Sequence, residues 1–436
     1  MFGLDLCADF ADVLKPPRIA SLPQLTDAAI HVYQCDAASL SALFDNARQW
    51  HGQALVPGAV AGAGAELDKV TACFKAACEA AERYSSSILL SSEYRIATYD
   101  ELGDQAIDWK TFPRLSAEEL HDPLQPFAPF QPNDPVRWVM GMHLQSGRQL
   151  WIPTSMTHLF PRLWSTERFC VPISTGTAVH SDELTGIASG LCEVIERDAT
   201  ALTWLLKRPI KRIEPCRALL EAVSSPIGEL LESNEVIIYN ATTDTGVPTV
   251  YARRKRPGNE RAANVVACAA SFRVVTSMEK AVAESVMISR TLEQDEFAVV
   301  DAPEDCMSVH DGAVFMSRDS QKEAFAFLDT GGSVAFTTLL ASEPSVDSTD
   351  PAERLAWMIN RLSTLDMDVY VVNLTCDELA DVGLKCYRVI VPQLMPMSLI
   401  TRGRFLATPR LEQVNRDERL NRVLPRDVNQ HPQPFA

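Results

Sequence analysis

Two six-residue strings in this chain share one pattern, Cys78-Glu79-Ala80-Ala81-Glu82-Arg83 and Cys192-Glu193-Val194-Ile195-Glu196-Arg197. In a helix, residues three and four apart lie on one face, so each string presents two carboxylates and a guanidinium together. One copy alone suits a solvated face of intrahelical Glu–Arg pairs. Two copies outweigh chance, and the second interrupts an apolar run of Leu184, Ile187, Leu191, Val194, Ile195 and Leu202. Charged groups set that deep must be paired or bind a ligand. Four facing carboxylates repel unless cations sit between them, and hard, oxygen-seeking Mg2+ bridged to substrate phosphates is the natural occupant.

The elements that must position these groups are helices. Leu67, Val70, Cys73, Phe74, Ala77 and Ala81 recur at three and four, which predicts an amphipathic helix over 66–85. A second begins near Asp182, whose side chain can cap it, and runs to about Leu206; a third covers 278–292. Strands are expected over 28–37, in a hairpin VRWVMGMHL…RQLWIPTSM, at 235–255 around an Asp-Thr-Gly turn, and at 264–275. MDVYVVNLT and LKCYRVIVPQL read as two more, with a helix over 352–366 before them. Residues 99–135 read as a long loop with one helical turn near Ser116, and 301–351 as an acidic surface excursion. Alternating strands and helices favour an α/β sheet over a helical bundle.

Composition narrows the partners. The 436 residues carry 57 acidic and 40 basic side chains, a net charge of -17, which argues against nucleic acid. A 46% hydrophobic content suits a large globular core. Eleven scattered cysteines, with no CxxC pair and no zinc spacing, suit a reduced cytoplasmic protein. Neither a signal peptide nor a membrane span is expected. Cys78 and Cys192 read as core packing.

The segments KAACEAAERYSS and SDELTGIASGLCEVIERDATALTW resemble the two ATP-site helices of the YcaO superfamily. The helix MEKAVAESVMISR, GVPTVYARR, MDVYVVNLT and LKCYRVIVPQL follow in that family's order. The resemblance implies a mixed α/β fold in which sheets and helices surround an ATP cleft. It assigns Glu79, Glu82, Glu193 and Glu196 to Mg2+ or the phosphate site, with Arg83 and Arg197 as phosphate clamps. Ser189 matches the family's serine before the second motif; Lys75 replaces it before the first. Gly62-Ala63-Gly64 stands where relatives have Gly-Lys-Gly, and His180-Ser181 where they have Gly-Asn. Ser174 resembles a nucleotide-contacting loop serine, although a simple turn explains it equally. In the third helix Glu284 fits, Met287 replaces the usual Gln, and the Arg is displaced to Arg290.

Azoline-forming members of that family end in Pro-x-Pro-x-Pro threaded into the active site. This chain ends Pro432-Gln433-Pro434-Phe435-Ala436. The resemblance implies an ATP-dependent cyclodehydratase like the D protein of a microcin-type thiazole/oxazole synthetase. Its catalytic unit would span 61–425, after an N-terminal part over 1–60. The tail over 426–436 would bring Pro432, Pro434 and the Ala436 carboxylate, a candidate base, into the site. The implied partners are a precursor peptide, a ThiF-like leader-binding protein, an FMN-dependent azoline dehydrogenase, and a second copy of the chain. A thioamide- or amidine-forming enzyme and a non-catalytic ATP-binding scaffold are the alternatives.

Overall fold

In the computed structural model, residues 18–21, 30–36, 61–159, 163–294, 300–347 and 349–435 are described. Three sheets carry the fold. An antiparallel sheet joins β1 (Arg18–Ser21), β2 (His31–Asp36) and β3 (Ala61–Glu66) in that order. The largest has six strands. It runs β4 (Tyr94–Ala97), β5 (Val136–His143), β13 (Tyr370–Asn373), β14 (Lys385–Ile390) and β7 (Thr177–His180), with β6 (Gln149–Pro153) also paired to β5. The third is ordered β11 (Asn264–Ala270), β10 (Thr249–Lys255), β9 (Val236–Asn240), β8 (Lys211–Ile213) and β12 (Ser333–Val334). The expected α/β class is observed, as several mixed sheets rather than one.

Long helices lie on each sheet. Helix α1 (Lys69–Ser87) packs on β3 and β2, α2 (Glu183–Leu205) on β14 and β7, and α3 (Val274–Gln294) on β11 and β10. Helix α4 (Pro351–Ser363) lies against α2, and α5 (Pro409–Asp417) follows β14.

The two motif helices begin alike. Asp68 accepts the Thr71 N–H at 2.7 Å and Asp182 accepts the Thr185 N–H at 2.8 Å, each satisfying an otherwise orphaned donor. Each cap precedes its motif cysteine by the same interval, 68 to 78 and 182 to 192. The likeness of the two helices therefore extends from the carboxylates back to their caps.

Glycines set how closely β3 approaches α1. A Cβ on Gly62 would lie 2.3 Å from the Ala76 carbonyl oxygen, and one on Gly64 would lie 2.1 Å from that of Ala72. Small residues on both sides, Gly62 and Gly64 facing Ala72, Ala76 and Ala80, make that contact. Gly62-Ala63-Gly64, which stands where relatives have Gly-Lys-Gly, is thus part of a paired strand.

Two expectations are corrected. The strand expected over 264–275 ends at Ala270; Val274 and Val275 open α3, because Ser271–Arg273 turns the chain. The acidic excursion over 301–351 is largely folded: it holds helices Val309–Met316 and Phe336–Ala341 and a 3-10 stretch, Asp319–Thr330. Cys306, Phe315, Met316, Phe325 and Leu328 are buried there in one cluster with Trp204 and Tyr251. Isolated apolar residues among polar ones hide that packing from a periodicity reading.

Candidate active site

The tail lies on the body of the protein. Leu205 O accepts the Asn429 N–H at 2.8 Å, His431 O accepts the Trp204 Nε1–H at 3.1 Å, and Arg404 donates to Asn429 O at 2.6 Å. Pro432, Gln433, Pro434 and Phe435 are all buried. A Cβ on Gly312 would sit 2.2 Å from Gln433 O, so that glycine makes room for the tail backbone. The tail ends beside the second motif: the Arg197 guanidinium carbon is 5.0 Å from the Phe435 ring centroid. Ala436 lies outside the described residues.

The motif carboxylates meet where α1, α2 and α3 converge. Three of them are anchored to backbone N–H groups of neighbouring elements. Glu79 accepts from Ala63 on β3 at 2.6 Å, Glu193 from Gly176 ahead of β7 at 2.9 Å, and Glu196 from Ala270 at the end of β11 at 3.1 Å. Their other oxygens face the arginines. Arg83 pairs with Glu79 at 2.7 Å and also donates to Ala61 O. Arg197 lies 3.5 Å from Glu193 and 3.7 Å from Glu196. Glu82 has no such backbone anchor among the described residues.

Electrostatics bind the group into one site. Burial, then the nearby Glu193 and Glu79 charges, raise the Glu82 carboxyl well above its ordinary range, against the pull of Arg83 and Arg388. Glu196 is pushed up to about 8 by burial, with Glu284 and Glu193 adding to it and Arg197 opposing. Glu284 is raised to about 7 by burial, with Glu79 and Glu193 adding and Arg197 opposing. Burial works against the Arg197 charge, but Glu196, Glu193 and Glu284 outweigh it and hold the guanidinium protonated. Glu82, Glu196 and Glu284 keep partial contact with solvent while ringed by protein, as groups lining a cleft do.

A divalent cation placed beside these buried carboxyl groups would favour their ionised form. Among the described residues no group of three or more His, Cys, Asp or Glu side chains forms a cation cage. One or two carboxylates completed by phosphate oxygens and water is the usual Mg2+ arrangement, and this donor set fits it.

The remaining expected residues fall at various distances from this centre. Ser174 stands on the loop whose Gly176 is held by Glu193. Lys75, one turn ahead of Glu79, is ion-paired with Glu66 at the end of β3. Ser181 and Ser189 are exposed. Arg290 is turned away from the centre, buried and donating to Ile30 O at 2.9 Å. It lies six residues past Glu284, which on a helix rotates it about a third of a turn away from that carboxylate.

Arg388 escapes a reading of the sequence. It is buried on β14 and donates to Ile173 O at 2.6 Å and Thr177 Oγ1 at 3.0 Å. Burial lowers it to about 10, partly offset by Glu193 and Glu82. An arginine inside the apolar strand KCYRVI is the available signal.

Comparison with known proteins places the chain in a family and a fold. A family model described as YcaO cyclodehydratase, ATP- and Mg2+-binding, matches residues 62–395, well over half of the chain. An uncharacterized protein in the tfuA 3′ region of Rhizobium leguminosarum bv. trifolii is 30% identical over 125 residues, covering 27% of this chain and 29% of that protein. Among solved structures, a heterocyclase in complex with substrate and cofactor superposes with a TM-score of 0.74 at 18% identity. It covers 99% of this chain, which spans 57% of that one. YcaO from Methanopyrus kandleri, bound with AMPPCP and Mg2+, gives 0.63 at 15% identity, covering 89% of this chain and 88% of that one. The E. coli microcin synthetase McbBCD complex with pro-MccB17 bound gives 0.60 at 13%, covering 96% of each chain. At these identities the superpositions establish the fold.

Proposed function

Because the chain belongs to the YcaO family, whose ligands are ATP and Mg2+, we propose that it is the ATP-dependent cyclodehydratase subunit of an azoline-forming peptide synthetase. The observation that carries this reading is the buried Pro432-Gln433-Pro434-Phe435 tail, whose last described ring lies on Arg197 of the ATP-site motif. A proline-alternating segment has few donors and a stiff backbone, so it can hold the chain end at a fixed distance from a bound nucleotide. In this reading residues 61–425 form the catalytic unit, 1–60 its N-terminal part, and 426–436 the tail that enters the site.

The reaction is as follows. A Cys, Ser or Thr side chain of a ribosomal precursor peptide attacks the carbonyl carbon of the preceding amide. The resulting oxyanion is a poor leaving group. Its attack on the γ-phosphate of ATP forms the O–P bond and releases ADP. Loss of that oxygen as phosphate, with departure of the amide N–H proton, closes the C=N bond of a thiazoline or oxazoline. Arg83 and Arg197 neutralise charge on the transferring phosphoryl group. Glu79, Glu82, Glu193 and Glu196, with Glu284 beside them, are the residues from which one or two carboxylates would hold Mg2+, which would supply positive charge to the phosphates. The Ala436 carboxylate is the candidate base that takes the nucleophile's proton and, after passing it to solvent, the amide proton.

The whole complex comprises this chain, a ThiF-like leader-binding protein, an FMN-dependent azoline dehydrogenase and a precursor peptide, with this chain as a homodimer. The test is mass spectrometry of the precursor after incubation with the complex, ATP and Mg2+. Loss of one water per modified residue, with stoichiometric ADP, is expected. Replacement of an amide oxygen by sulfur, or peptide-independent ATP hydrolysis, overturns the reading.

A further inference from the structure

The 173–177 loop is pinned at several backbone groups. Val389 N–H donates to Gly176 O and Thr177 N–H to Ser174 O, each at 2.8 Å, and Gly176 N–H donates to Glu193 at 2.9 Å. Gly176 has φ +86, and a Cβ there would lie 2.3 Å from Val389 O. A Cβ on Gly190 of α2 would lie 2.5 Å from Gly176 O. The loop is therefore wedged between β14 and α2, with Ser174 and Thr175 only partly buried. Its two ends are bridged by one side chain, because Arg388 Nη1 donates to both Ile173 O and Thr177 Oγ1.

Arg388 is an expensive way to make those bonds. It is 7% exposed, both acceptors are neutral oxygens, and its buried Nε has no hydrogen-bond partner among the described residues. Burying a guanidinium without a directly bonded carboxylate is costly. Its charge nevertheless faces one carboxylate from each motif helix, Glu82 on α1 and Glu193 on α2. It thus reaches the carboxylate cluster from the sheet, a third direction after the two helices.

We propose that Arg388 is a positioning residue of the nucleotide site, which fixes the 173–177 loop, and with it Ser174, in register with the Glu82 and Glu193 carboxylates. The inference rests on the ATP-site reading above. Both bonds leave one nitrogen, Nη1; lysine keeps the charge but is one atom shorter and lacks the planar guanidinium that fixes the direction of Nη1. Thr177→Val removes one acceptor and keeps the side-chain shape.

Calorimetric titration of the full chain with AMPPCP and Mg2+ tests this, together with the thermal midpoint of each variant. Arg388→Lys is expected to weaken binding about tenfold, the loss of one charge-assisted hydrogen bond. Thr177→Val should weaken it less, and both should unfold near the wild-type temperature. Ser174→Ala separates positioning from general support of the fold. If Arg388 acts through the loop, the Arg388→Lys/Ser174→Ala double variant loses clearly less affinity than the product of the two single losses. Additive losses, or wild-type affinity in Arg388→Lys, overturn the inference while the reading stands. Wild-type protein that binds no AMPPCP overturns the reading and this inference with it.

Discussion

The Arg197 guanidinium lies over the Phe435 ring, 5.0 Å from its centroid, while it also faces Glu193 and Glu196. The penultimate residue of the sequence thus touches the last residue of the second Cys-Glu-x-x-Glu-Arg motif. Phe435 is 1% exposed and shares a core with Trp204, Tyr251 and Phe325. Phe435→Leu keeps most of that burial and removes a cation–π contact of about 1 kcal/mol. It should lower kcat with little change in thermal midpoint. Deleting Pro432–Ala436 should abolish azoline formation. Full turnover by the truncated chain would show that the tail is only a clasp.

Glu82 differs from its neighbours in accepting no backbone N–H among the described residues, and folding itself disfavours its charge. Glu82→Gln should therefore leave the apo protein at least as stable as wild type, whereas Glu79→Ala frees the Ala63 N–H. Removing one preorganised charge from a phosphoryl-transfer site costs about a hundredfold in rate. Peptide-dependent ADP release by Glu82→Gln should fall by at least about that factor. A variant that turned over normally would remove this carboxylate from the site.

The raised Glu196 carboxyl has a stability signature. Its folded pKa is about 8 against an ordinary 4.5. Between those values the folded state holds a proton that the unfolded chain has released, so this group's contribution falls as pH rises. The amide introduced by Glu196→Gln does not titrate, and its oxygen can still accept the Ala270 N–H. Denaturant unfolding of the apo protein should show Glu196→Gln gaining on wild type progressively from about pH 5 to pH 8. A constant difference across that range would mean that Glu196 ionises normally in the fold.

How far the site is legible depends on how far apart its partners lie in the chain. Glu79 with Glu82 and Glu193 with Glu196 are three apart, so helical geometry alone puts each pair on one face. The capping aspartates are half visible: Asp182 is readable, while apolar spacing places the start of α1 slightly early, at Glu66. Glu284 comes from resemblance, and Arg290, chosen the same way, faces Ile30 instead because six residues do not return to the same helix face. Arg388 shows in the sequence only as an arginine inside an apolar strand, because its partners, Ile173 and Thr177, belong to a loop that only sheet pairing brings to β14. Residues 301–347 mislead because short helices and a 3-10 stretch show little periodicity.

Gly62-Ala63-Gly64 is the clearest case of a local string whose meaning is set by packing. As sequence it stands where relatives have Gly-Lys-Gly and lacks their lysine. In the fold it is a strand pressed on α1, and Ala63 supplies the N–H that fixes Glu79. A methyl on Gly64 would meet the Ala72 carbonyl oxygen at 2.1 Å and the Ala76 nitrogen at 2.8 Å, both helix backbone atoms that cannot swing aside. Gly64→Ala should therefore destabilise the protein by about 2–3 kcal/mol through overpacking. It should also shift β3 away from α1, loosening the Ala63–Glu79 bond, so nucleotide affinity should fall in molecules that remain folded. Chemical denaturation and AMPPCP titration of the same preparation separate the two effects. Wild-type values in both would mean that β3 does not lie as close to α1 as these atoms require.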